Sequence, residues 1–193
     1  MSAQDLLPEA VEADELRDPC LEAMLEFEQA ARFLDLEDWI VQRLRHTERE
    51  VTVNLPLMRD DNQAVTSTGL RVQHNSSRGP TLGGVRFSPT AHLGQLRAAA
   101  MAATWQAALF GLPLGGSAGA VVCNPEELSE RELRRLSRDY VWALRDLLGA
   151  EKDILAPDGG ANSRTMAWML GSYRRAGQAP EFDTHRSNEP GDD

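Results

Sequence analysis

Three segments of this chain carry residue types that could meet a ligand. Two are rich in glycine, His74 to Gly84 (HNSSRGPTLGG) and Gly111 to Gly119 (GLPLGGSAG), and the third joins Pro157-Asp158 to Gly159-Gly160. Glycine lets a backbone approach a bound molecule closely. In α/β sheets ligands gather in loops where strands meet helices, and each segment reads as such a loop. Gly83, Gly84, Gly115 and Gly116 are therefore the expected pocket-lining positions. Neither glycine segment is a phosphate cradle, because GxxxxGK[ST] is absent and no GxGxxG opens a helix after a strand. His74 has no partner at metal-ligand spacing and reads as structural. Cys20 and Cys123 lie far apart with no motif around them, so neither a disulfide framework nor a zinc site is expected. Of the twenty basic residues nineteen are Arg; the only lysine, Lys152, reads as a solvated surface residue.

The elements that must hold these segments are legible in the periodicity. Asp18-Pro19 is a helix start, with Leu21, Met24, Leu25, Ala31 and Leu34 following at helical spacing. A second short helix runs near Glu37 to Leu44, with Trp39, Ile40 and Leu44 expected inside. From Glu50 the period becomes two, through Val51, Val53, Leu55 and Leu57. The turn Arg59-Asp60-Asp61-Asn62 then leads to a second strand, Ala64 to Gln73, completing a β-hairpin. Val85-Arg86-Phe87 is a short strand. Leu93 to Phe110 is the longest helix, with Leu96, Ala100, Ala103 and Ala107 on one stripe. Ala120 to Cys123 reads as a buried strand. Ser129 and Glu132 form a capping box before a helix carrying Leu133, Leu136, Tyr140, Val141, Leu144 and Leu147. Ile154-Leu155 precedes the third segment, and Asn162 caps a last helix to about Ala176. The alternation predicts a single α/β domain: a mixed, mostly parallel sheet flanked by helices, with an N-terminal helical segment and a β-hairpin.

Composition bounds the rest. The chain has 193 residues, room for one domain with a core. Residues 1–17 read as a disordered acidic arm, 18–177 as the folded domain, and 178–193 as a disordered polar tail. The net charge of −10 disfavours nucleic acid as a partner. No apolar run approaches the ~18 residues of a membrane span, and the acidic N-terminus lacks a signal-peptide pattern. A reducing cytoplasm is the expected compartment.

Several short motifs occur in one order: Arg71-Val72-Gln73-His74-Asn75, Arg78-Gly79-Pro80, Gly83-Gly84-Val85-Arg86-Phe87, Thr104-Trp105, Leu112-Pro113-Leu114-Gly115-Gly116 and Ala156-Pro157-Asp158. In order and spacing they resemble the N-terminal, oligomer-building domain of the glutamate/leucine/phenylalanine/valine dehydrogenase family, the glutamate dehydrogenases most closely. The resemblance covers residues 18 to 177. It implies NAD(P)-dependent oxidative deamination of an amino acid, with one lysine activating water, an aspartate shuttling its proton, and further lysines holding the substrate carboxylate. A lysine whose pKa is depressed by burial and cationic neighbours can do such work near neutral pH.

The chain departs from that pattern at three points. Leu82 stands where the family's GP-x-KGG has a carboxylate-binding lysine. Gln106 replaces the lysine of T-W-K. Ala118 replaces the general-base lysine of GG-x-KGG. Asp158 matches the family's catalytic aspartate and is retained, either as a vestige of the pocket or as a cap or loop residue. A preference for Arg does not explain Leu, Gln and Ala, and Arg could not serve as the base. The family's nicotinamide-binding domain is also expected to be missing, so no cofactor and no metal are expected. The first expectation is a noncatalytic protein that joins itself or catalytic amino acid dehydrogenase subunits as an oligomerisation or regulatory partner. The alternatives are a domain that senses a small amino acid, and a fragment or subunit of a dehydrogenase.

Overall fold

The computed structural model describes residues 19–177. The arm and tail expected at 1–17 and 178–193 lie outside the described residues. Five strands, β1 (Arg49–Met58), β2 (Ala64–Asn75), β3 (Thr81–Phe87), β4 (Gly115–Val122) and β5 (Asp153–Pro157), form one sheet in the order β1-β2-β4-β3-β5. β1 and β2 pair antiparallel as the expected hairpin, and β2 pairs antiparallel with β4. β4, β3 and β5 run parallel, giving the mixed sheet of an α/β domain.

Helices α1 (Pro19–Phe33), α2 (Asp38–Arg45) and α3 (Leu93–Leu109) occupy one side; α4 (Glu130–Leu144) and α5 (Ser163–Ala176) occupy the other. Local chemistry sets the helix starts. Ser129 Oγ accepts the N–H of Glu132 while Glu132 Oε2 accepts the N–H of Ser129, so two otherwise orphaned donors are satisfied at α4. Asn162 accepts the N–H of Thr165 and starts α5. Leu136, Tyr140 and Leu144, spaced by four, then bury against Leu55, Leu57, Val85, Phe87 and Val121 of the sheet. On the other face α3 lays Leu96 and Ala100 on Leu70, Val72, Ala118 and Ala120.

The two glycine segments differ from the loops expected of them. Gly83 and Gly84 lie within β3, and Gly115 and Gly116 begin β4, a strand buried along nearly its whole length. Glycine serves close approach of protein to protein here. A Cβ on Gly116 would fall 2.3 Å from the Ala100 carbonyl oxygen and 2.3 Å from the Thr104 nitrogen, so α3 rides directly on the β4 backbone. The loops that remain, residues 76–80 and 110–114, sit at the starts of β3 and β4. Residues 110–114 join α3 to β4 and the turn after Pro157 joins β5 to α5, so both stand where a strand meets a helix as expected, whereas 76–80 links two strands, β2 and β3. Trp39, expected inside, is exposed, because α2 is only two turns long and packs through Val41 and Leu44.

Candidate functional site

α3 crosses β4 and β2 and barely reaches β3. The same side of β3 and β5 is therefore left uncovered by helix, and the alternation of strand side chains places Leu82, Gly84 and Arg86 there. Leu82 is half-buried, beside Gly116 of β4 and Ile154 of β5. Gly84 pairs with Ala156 of β5, and a Cβ on it would lie 2.7 Å from that of Asp158. Asp158 thus rests on the bare backbone of β3.

Asp158 is held on both oxygens. Oδ2 accepts from Nε and Nη2 of Arg86 at 2.9 and 2.6 Å, and Oδ1 accepts from the Gly159 N–H at 2.8 Å. Partial burial would raise its pKa, but these donors outweigh that and hold the carboxyl below its usual range. It is therefore an ion-paired loop residue just beyond β5; the cap of α5 is Asn162.

Ala118 is 5% exposed. It faces Val72 across the β2–β4 ladder and packs in the apolar cluster beneath Leu96 and Ala100. Nothing at this position can take or give a proton. Gln106 is exposed in the last turn of α3, one residue after Trp105. The sheet thus holds Leu82 and Gly84 on β3, Ala118 on the neighbouring β4 and Asp158 just past the end of β5, whereas Gln106 sits out on the helix. Lys152 is exposed, and its Nζ donates to the Asp146 carbonyl at 3.2 Å.

Two polar constellations escape sequence reasoning. The first is the Arg86–Asp158 pair itself, whose only sequence signal is an Arg between the inward-facing Val85 and Phe87. The second is buried on the α4–α5 side. Arg71 donates from Nε and Nη2 to Asp153 at 2.8 and 2.5 Å and from Nη2 to Ser117 Oγ at 2.7 Å. Gln73 Nε2 adds a bond to Asp153 at 2.9 Å. Burial alone would raise the Asp153 pKa; the bonds from Arg71, Gln73 and Ser117 lower it on balance. The Arg71 guanidinium, the Asp153 carboxylate, the Ser117 hydroxyl and the Gln73 amide bond to one another, so this network holds β2, β4 and β5 together.

His74 is structural, as expected. Its Nε2 lies 3.0 Å from the Leu44 carbonyl and its Nδ1 2.8 Å from Thr104 Oγ1. A carbonyl only accepts, so the proton sits on Nε2 and Nδ1 is left as an acceptor. Among the described residues no cluster of His, Cys, Asp and Glu could hold a metal ion, and no helix is long and apolar enough to cross a membrane.

Comparison with known proteins places this geometry. The sequence profile of the Glu/Leu/Phe/Val dehydrogenase dimerisation domain matches residues 47–175. Glutamate dehydrogenase A2 of Halobacterium salinarum is 43% identical over 154 residues, which cover 79% of this chain and 37% of the relative. The hetero-hexameric glutamate dehydrogenase of Thermus thermophilus, solved in a leucine-bound form, superposes with a TM-score of 0.79 at 38% identity, covering 84% of this chain and 40% of the other. The glutamate dehydrogenase of Peptoniphilus asaccharolyticus gives a TM-score of 0.82 at 33% identity, covering 84% and 41%. The chain spans about two fifths of the length of these relatives.

Proposed function

The chain belongs to the Glu/Leu/Phe/Val dehydrogenase family through its dimerisation domain, and from that premise we propose that it is a noncatalytic member acting as an oligomerisation or regulatory partner of amino acid dehydrogenase subunits in the cytoplasm. The observation that carries this reading is Ala118. The position that the family resemblance gives to the water-activating lysine holds a methyl group sealed under α3. Leu82 and Gln106 withdraw the two positive charges that would hold a substrate carboxylate. Asp158 keeps its charge but spends it on Arg86. Removing a general base costs on the order of 10²–10⁴ in rate, and the carboxylate clamps are lost with it. The unit from β5 to α5, a strand–turn–helix like that from β3 to α3, presents the negative charge of Asp158 at its turn, and no GxGxxG opens a helix after a strand in the sequence.

What remains intact is the scaffold that builds contacts. That the Thermus relative is hetero-hexameric supports mixed assembly as a mode open to this fold. The experiment is coexpression with a complete glutamate dehydrogenase from the same organism. A stable mixed complex with altered dehydrogenase kinetics is expected. A chain that neither associates with that enzyme nor changes its rate would refute the reading, and amino acid–dependent reduction of NAD(P) by the chain alone would refute its noncatalytic part.

The open face of β3 and β5 favours a second reading, a sensor of a small amino acid. Leu82 gives it apolar ground, and Arg86 and Asp158 provide opposite charges at its edge. An amino acid with an apolar side chain fits this better than glutamate does. Calorimetry against a panel of amino acids and 2-oxo acids separates the two, since a partner subunit without a ligand gives no heat.

A further inference from the structure

We infer that the apolar cavity between α5 and β5 is closed by the chain itself, with Phe182 as the side chain that fills it. β5 is an edge strand of five residues, and α5 leans chiefly on α4 and touches β5 little. A cavity of about 330 Å³ opens between them, with Met166, Met169 and Leu170 on one wall and Leu148, Ile154 and Leu155 on the other. Leu170 is 50% exposed there, and the neighbouring Tyr173 is partly exposed. Methionine side chains adapt to an inserted ring and make favourable sulfur–aromatic contacts. Apolar ground left open to water in this way marks an interaction site.

The chain that leaves α5 carries one side chain suited to this cavity. Residues 178–193, beyond the described structure, contain a single large apolar residue, Phe182. Pro180 cannot continue the helix. Phe182 follows Gly177 by five residues, a reach of up to about 17 Å. Leu170 lies seven residues before Gly177, about 10 Å back along the helix. The ring is therefore within range, and a tether this short gives it a local concentration on the order of millimolar. That favours it over a side chain from a second molecule.

Charge at the rim agrees with this occupant. Glu181 and Asp183 flank the ring in sequence. Lys152 lies alongside Tyr173: a Cβ on Gly149, itself a lining residue, would stand 3.2 Å from Tyr173 Oη and 3.9 Å from Lys152 Cδ. The Lys152 ammonium donates to the Asp146 carbonyl and has further protons to give to a carboxylate. Arg174 follows Leu170 by one turn and shares its side of α5. Asp146 and Glu151 line a separate cavity, beside Glu48 and Arg49.

The test is nuclear magnetic resonance of the full chain with its methionine methyl groups labelled, the signals of Met166 and Met169 being assigned through Met166→Leu and Met169→Leu. Cross-relaxation between the Phe182 ring and one or both of these methyl groups is expected, unchanged by dilution. Phe182→Asp is expected to remove the ring-current shift of those signals and to lower the melting temperature by about 2–4 °C. Phe182→Leu is expected to remove the shift while keeping most of the melting temperature, because an apolar side chain still docks. Cross-peaks that fade on dilution would assign the cavity to a second copy and overturn closure by the same chain. Met166 and Met169 signals that stay in place in Phe182→Asp overturn the inference outright.

Discussion

Arg71 and Asp153 sit on strands that do not touch, yet their side chains are bonded. β2 and β5 are separated in the sheet by β4 and β3, and the guanidinium reaches over the intervening backbone, passing the Gly83 and Gly84 carbonyls, to meet both carboxylate oxygens. Neither side chain is exposed. Breaking a buried pair from one side leaves the other charge stranded, which costs about 3–5 kcal/mol. Asp153→Asn is therefore expected to lower unfolding free energy by about that amount in urea titrations. A loss below about 1 kcal/mol would mean that the pair behaves like a surface bridge.

His74 makes stability depend on pH. Burial is the main cause of its lowered pKa, against smaller raising effects from the Leu44 carbonyl and Glu48. The unfolded chain then takes up a proton at a higher pH than the folded one does. The contribution is present in full above the unfolded value near 6.5 and is lost as pH falls from there through the folded value. The melting temperature is expected to drop in that window, and His74→Gln is expected to flatten the drop. Equal slopes for both proteins would remove His74 as the cause.

Gly116 and Gly159 form a matched pair. A methyl group on Gly116 meets the α3 backbone, whereas one on Gly159 meets nothing within 4 Å. Gly116→Ala is expected to cost about 1–3 kcal/mol or more as overpacking, and Gly159→Ala to stay within about 0.5 kcal/mol of the wild type. Similar denaturation midpoints for the two would show that α3 lifts off β4 at no cost.

Placing lysine at the three departing positions tests the proposed loss of the site directly. Leu82→Lys, Gln106→Lys and Ala118→Lys together are expected to create binding of glutamate in the millimolar range, about −4 kcal/mol, where the wild type gives no heat in calorimetry. Ala118→Lys alone is expected to destabilise the fold, because its stem must cross the cluster around Val72 and Leu96. Absence of binding in the triple variant would mean that the open face has been rebuilt beyond those three positions.

What could be read in the sequence follows the range of the forces involved. The cap at Ser129, the stripe of α4 and the alternation of β1 are set by neighbours a few residues away, and all are found where expected. The strand character of Gly115 to Ala118 was illegible because glycine carries no periodicity; β2, β3 and α3 impose it from outside. The Arg71–Asp153 pair joins positions 82 residues apart, and no local pattern signals it. Arg86 hid for a different reason. A charged residue alternating on a strand reads as solvent-facing, and its role appears only when Asp158 is brought above it.

Because α3 covers β4 and β2 and stops short of β3, the sheet keeps its structural duties and its chemical opportunities in different places. Substitutions at Leu82 or Asp158 touch no core cluster built by α4 and α5, and the methyl group of Ala118 merges into the packing beneath α3. A chain with this layout can change residues on the open face while the packing beneath α3 and against α4 stays as it is.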